Sequence, residues 1–81
     1  MNDTDNALAR IREIVAEVLA MNPAGIDDTA DFVERYHADS LNLMEITAKV
    51  EKEYQVTLPQ SELQQAYTVT ALCEVVARQR T

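Results

Sequence analysis

A chain of 81 residues has room for one small domain with a single modest core, stable by about 5 kcal/mol or less, and too little for an enclosed active site plus its scaffold. Its 14 acidic against 7 basic side chains, a net charge of −7, repel phosphate backbones, so nucleic acid is disfavoured and basic protein surfaces are favoured, although acidity that serves only solubility competes with that reading. The lone Cys73 excludes an internal disulfide and a Cys-rich metal site and fits a reducing cytoplasm, while no apolar run approaches the roughly 18 residues of a membrane helix.

In chain order, the polar, acidic start from Asn2 to Asn6 lacks the basic region of a signal peptide, so a soluble chain beginning at its native methionine is expected. Leu8, Ile11, Ile14, Val15, Val18 and Leu19 then recur at the three-and-four spacing of one helical face and predict a first helix over about residues 4–20. Asp3, Thr4 and Asp5 can each cap its open amides, and Asn22, pushed out of helical geometry by Pro23, lies beyond its end. Residues 21–38 form too long a link for an ordinary helix connection. Ile26, Ala30, Phe32, Val33 and Tyr36 predict that it packs onto the helices. Its carboxylates Asp27, Asp28, Asp31 and Glu34 lack the alternating ligands, glycine bend and terminal glutamate of a calcium loop, and read as a solvated acidic stretch.

A second stripe, Leu43, Ile46, Thr47, Val50 and Tyr54, predicts a helix over about residues 40–53 with Asp39 as its N-cap. Tyr54, Val56 and Leu58 alternate with polar residues as a strand would. Pro59 ends that run, no second strand pattern exists to pair with it, and the segment reads as an extended connector. Residues 60–65 can form a short helical turn or two. Val69, Leu72, Cys73 and Val76, with Thr68 as cap, predict a last helix over about residues 69–78, in which Cys73 is a small core residue rather than a reactive thiol.

Ser40 is the chemically informative position. A nucleophilic serine needs a base and an orienting group, and the only histidine, His37, stands three residues upstream in the loop, where local spacing makes no triad. Asp39-Ser40 is also simply good cap composition. Yet the first turn of a helix presents free amides and partial positive charge, which stabilise an attached phosphate by roughly 0.3 to 1 kcal/mol. On the same helix, with Leu43, Ile46, Val50 and Tyr54 turned inward, Leu41, Met44 and Ala48 form an outward apolar line flanked by Glu45, Lys49, Glu51 and Lys52. Isolated exposed apolar residues are otherwise normal.

Phe32-Val33-Glu34, Ala38-Asp39-Ser40-Leu41, Glu51-Lys52-Glu53-Tyr54, Val56-Thr57-Leu58-Pro59 and Thr68-Val69 fall in the order found in acyl carrier proteins, which the chain resembles over essentially its whole length. The resemblance implies one all-α carrier domain over residues 1–81, a bundle of three main helices and one short helix with a long loop between the first two. It implies no catalysis by the chain itself. Ser40 would accept 4′-phosphopantetheine from coenzyme A through a phosphopantetheinyl transferase, beside Asp39 as cap and motif residue, and the thiol of the arm would carry acyl groups.

Asp39-Ser40-Leu41, Leu43-Met44-Glu45, Ala48, Glu51, Tyr54, Val56 and Pro59 most resemble the discrete carriers of type II polyketide synthases, particularly those of aromatic polyketides. Asp39, Glu45, Glu51 and Glu53 are offset by Lys49 and Lys52, where fatty-acid carriers are usually more acidic. His37 replaces a common glycine and Asn42 a frequent acidic residue, which also points away from housekeeping fatty-acid synthesis. Implied partners are a malonyl transferase, a ketosynthase/chain-length factor, a ketoreductase and other tailoring enzymes. They would meet Leu41, Met44, Glu45, Ala48 and Glu51 on a cytoplasmic protein that is monomeric when free and binds neither nucleic acid nor membrane. Ile46, Val50, Ala66 and Val69 are candidates for an acyl cleft, with core packing as the competing role of each. A fatty-acid or other specialised carrier, a small acidic helical interaction module, and a small hydrolase using Ser40 with His37 are the alternatives.

Overall fold

The three-and-four spacing of Ile11, Ile14 and Val15 becomes one buried helical face, with Ile11 and Val15 fully enclosed. The computed structural model describes residues 3–64 and 66–80. They form α1 (Asp3–Leu19), a 3₁₀ turn (Pro23–Gly25), α2 (Phe32–Tyr36), α3 (Ser40–Tyr54), α4 (Gln60–Leu63) and α5 (Val69–Arg80), with no strand among the described residues. The capping side chains expected of Asp3, Thr4 and Asp5 lie outside the described residues, as does Gln65 at the end of the expected fourth helix.

α1 packs against both α3 and α5. Between them sit Ile46 and Val50 of α3 and Val69, Leu72, Val75 and Val76 of α5, all buried. Cys73 is buried and unpaired, and burial pushes its thiol pKa up. That environment suits the small core residue read from the sequence. Leu58 is buried while Gln55 and Thr57 on either side of Val56 are exposed, so the connector's alternation appears as alternating burial.

The long first link is more structured than its sequence suggests. It contains the 3₁₀ turn, capped by the Asn22 carboxamide accepting from Ala24 N–H at 2.9 Å, and the five-residue α2. The Asp31 carboxylate caps α2 by accepting from Val33 and Glu34 N–H at 2.8 and 3.0 Å. Such a cap is what the Asp type does best, and it orders a helix too short to declare itself by periodicity. Phe32 is fully buried and Ile26 nearly so, as expected; Val33 is 41% exposed, against expectation, because α2 turns it away from the core.

All three longer-range turns out of helix use non-glycine residues in the left-handed region: Ala20 (φ 58°) after α1, His37 (φ 58°) after α2 and Gln55 (φ 54°) after α3. At α1 the Met21 N–H reaches the Ala16 carbonyl at 2.8 Å and Ala20 N–H the Glu17 carbonyl at 3.4 Å, the paired closure that satisfies a helix's last carbonyls.

Candidate functional site

Asp39 sits in extended backbone immediately before α3, and its carboxylate accepts from Asn42 N–H at 2.8 Å. The Asn42 carboxamide oxygen in turn accepts from Asp39 N–H at 3.0 Å. This reciprocal box closes the first turn and fixes where α3 starts. Asn42, noticed in the sequence only as a departure from a pattern, is thus half of the device. Its signal was available as a polar partner three residues after an N-cap aspartate.

Ser40 is the first residue of α3 and is exposed. With Asp39 capping Asn42 and the Asp39 carbonyl accepting from Leu43 N–H at 3.0 Å, the Ser40 and Leu41 amides have no acceptor among the described residues. A hydroxyl beside two open amides at the positive end of a 15-residue helix suits a phosphodiester oxygen. His37 is the left-handed closing residue of α2, its N–H donating to Val33 and Phe32 carbonyls, and among the described residues no hydrogen bond joins its ring to Ser40.

Ser40 also lines a cleft of about 560 Å³, within the size range of small-molecule sites. Since Ser40 is exposed, it stands at the mouth. Of the four residues expected there, Ile46 and Ala66 line the cleft; Val50 and Val69 do not, and both are fully enclosed in the core, the competing role given to them. The walls instead include Phe32, Leu43, Leu58, Leu63 and Tyr67. Phe32 and Leu58 carried a sequence signal, as buried apolar residues in otherwise polar connectors, and Leu63 and Tyr67 carried none.

The two faces of α3 separate as its spacing predicts. Leu41 is 69% and Met44 67% exposed, and Glu45 and Ala48 are exposed beside them. Glu51, grouped with these from sequence, is half-buried and accepts from Leu58 N–H at 2.8 Å through its carboxylate. Farther along α3, Lys49 pairs with Glu17 at 3.1 Å and Glu53 with Arg10 at 2.9 Å. Both tie α3 to α1 and leave Glu45 and Lys52 without an ion-pair partner among the described residues.

The acidic first link is not a merely solvated stretch. Asp28 takes Arg12 bidentately at 2.7 and 2.9 Å, which raises the guanidinium pKa further. Its main-chain carbonyl accepts from Thr70 N–H and hydroxyl at 3.0 and 3.1 Å. The Thr29 amide and hydroxyl hold the Asp27 carboxyl below the usual range. Among the described residues no cluster of histidine, cysteine and carboxylates could hold a metal.

Comparison with known proteins agrees with this geometry. Residues 9–76 match the family described as "Phosphopantetheine attachment site". The chain is 48% identical over 54 residues to polyketide-8 synthase acyl carrier protein 2 of Streptomyces avermitilis, a match covering 67% of this chain and 62% of that protein's length. A free-standing peptidyl carrier protein from an Acinetobacter baumannii secondary metabolic pathway superposes with a TM-score of 0.84 at 25% identity, over 98% of each chain. The acyl carrier protein of Enterococcus faecalis superposes with a TM-score of 0.78 at 17% identity, over 94% of this chain and 96% of that one, a likeness of fold.

Proposed function

The chain belongs to the phosphopantetheine-attachment family of carrier proteins, and from that premise we propose that Ser40 bears the arm and that the protein carries polyketide intermediates on it as thioesters. It is a non-catalytic carrier whose prosthetic group is 4′-phosphopantetheine; when bound, that group supplies the thiol that holds the acyl chain. The observation that carries the assignment to Ser40 is its exposed position at the α3 N-terminus, behind the Asp39–Asn42 box and at the mouth of the cleft. The box holds the first turn in register, and the open Ser40 and Leu41 amides would help to hold a phosphodiester formed there.

We read residues 1–81 as a single carrier domain of type II polyketide synthesis, serving an aromatic product. The likeness to a polyketide synthase carrier and the mixed charge of α3, with its lysines among its glutamates, support that reading over fatty-acid synthesis. Leu41, Met44, Glu45 and Ala48 form the face offered to transferase, ketosynthase and tailoring enzymes, in small contacts that release readily. Among the described residues no helix is long and apolar enough to cross a membrane, and an unpaired buried cysteine suits a cytoplasmic protein.

Intact mass after incubation with coenzyme A, magnesium and a broad phosphopantetheinyl transferase tests the assignment. One arm is expected on the wild type and none on Ser40→Ala. No addition under conditions that modify a control carrier would overturn it. Malonyl-loaded protein offered to ketosynthases of both pathways then tests the subtype, which preference for the fatty-acid enzymes would reverse. Met44→Ser or Glu45→Lys is expected to slow turnover with those partners while shifting stability by no more than about 0.5 kcal/mol.

A further inference from the structure

We infer that Glu51 is a positioning residue that limits how far a tethered chain enters the cleft, by latching the connector after α3 against that helix; this rests on the carrier reading above. The Glu51 carboxylate accepts from Leu58 N–H at 2.8 Å, seven residues downstream. Its main-chain carbonyl accepts from Gln55 N–H and from Val56 N–H, the latter at 3.2 Å. One residue of α3 therefore gathers three amides of the segment that follows. Glu51 and Leu58 both line the cleft, with Ser40 at its mouth.

Beyond this latch, the wall rests chiefly on the packing of Val56, Leu58 and Leu63 against the core. Pro59 gives α4 no side-chain cap, and α4 has only four residues. A further tie lies on the exposed side of the molecule, where Arg78 and Gln79 donate to the Glu62 carboxylate. The Leu58 side chain is buried and the Glu51 main-chain carbonyl still holds the Val56 amide, so the connector stays attached without the latch, but the Leu58 amide loses its acceptor on α3. A wall held at one side-chain hydrogen bond can retreat when that bond opens, lengthening the cleft without unfolding the core. Glu51 is exempt from the ion pairs made by Glu53 and by Lys49 with Glu17, and its carboxylate is free to serve this single donor.

The test compares wild type, Glu51→Ala and Glu51→Gln, each first converted by a broad transferase with octanoyl- or tetradecanoyl-coenzyme A and checked by intact mass. Two quantities are then read: hydrogen exchange of the Leu58 amide, and the ratio of tetradecanoyl to octanoyl thioester cleavage by hydroxylamine. In Glu51→Ala the Leu58 amide is expected to exchange about tenfold faster or more, and the cleavage ratio to fall about threefold as the longer chain gains shelter. Glu51→Gln keeps a carbonyl acceptor and is expected to stay close to wild type in both. Unchanged Leu58 exchange in Glu51→Ala overturns the latch, and faster exchange with an unchanged ratio overturns its role in chain length. Failure of every variant, wild type included, to gain an arm brings down the carrier reading, and is distinguished by mass before any cleavage is timed. If Glu51→Ala does not fold, Glu51→Asp, with its acceptor drawn back by one methylene, takes its place with the same two expectations.

Discussion

Residues 20–39 and residues 55–64 both link helices of one small bundle, and both leave the preceding helix at a non-glycine residue with positive φ. They are held in different ways. The first is fastened at several separated points. Asp28 grips Arg12 of α1 and Thr70 of α5, Asp27 N–H donates to the Tyr36 hydroxyl at 2.7 Å, Phe32 N–H donates to the Tyr67 carbonyl at 2.8 Å, and the Phe32 ring is fully buried. The second has Leu58 in the core with Val56 and Leu63 packed against it, the Glu51 carbonyl on Val56 N–H and its carboxylate on Leu58 N–H, and an outer contact from Glu62. The first connector leads into Asp39 and Ser40; the second forms a wall of the cleft. A carrier needs an attachment point that partners find in a constant place and a wall that can yield to cargo, and the distribution of fastenings matches that division.

The largest effect is expected at the aromatic anchor. Phe32→Ala removes a fully buried ring from the first connector and should cost about 3–5 kcal/mol, enough to unfold much of a domain this small; urea denaturation reads it directly. A loss below about 1 kcal/mol would mean that the polar fastenings alone hold the connector, and the contrast drawn above would weaken.

Paired carboxylate removals compare the two regions next. Asp28→Ala deletes a bidentate partner of Arg12 in a setting where both side chains are about two-thirds covered (31% and 29% exposed), and should cost about 1–2 kcal/mol. Glu62→Ala deletes a pair whose arginine is 56% exposed, and should cost between about 0 and 1 kcal/mol. Equal losses in denaturant midpoint would show the two connectors to be held alike.

These differences mark what was legible in the sequence. The three main helices were, because Ile11–Val15, Ile46–Val50 and Val69–Val76 each repeat at helical spacing and each stripe is buried. Ser40 at a helix start was legible because Asp39 is a strong cap. α2 was not, since five residues show no period, and what makes them helical is the Asp31 cap and the burial of Phe32 by distant residues. The polar ties of Asp28 to Arg12 and Thr70 span 16 and 42 residues, and no local pattern reports them. The bond of Glu51 was illegible for a related reason: spacing places it at the edge of the outward face, and only the path of the connector brings Leu58 N–H to its carboxylate.

The helix ends offer the finest test. With one glycine in the chain, the usual stop signal is missing, and Ala20 and Gln55 adopt φ near 58° and 54° at a cost of roughly 1 kcal/mol each. Ala20→Gly and Gln55→Gly should each relieve that strain, less the extra freedom glycine gives the unfolded chain, for a net gain of up to about 0.5 kcal/mol. The thermal midpoints should therefore rise slightly and alike. Local exchange should not behave alike. After Ala20, the Asp28 and Phe32 fastenings keep the connector in place, and its amides should be as protected as before. After Gln55, glycine adds freedom directly ahead of a backbone held at Glu51, so the Val56 and Leu58 amides should exchange faster even as the global midpoint rises. Equal protection after both substitutions would show that the second connector is as firmly held as the first, and that a yielding wall is not a property of this fold.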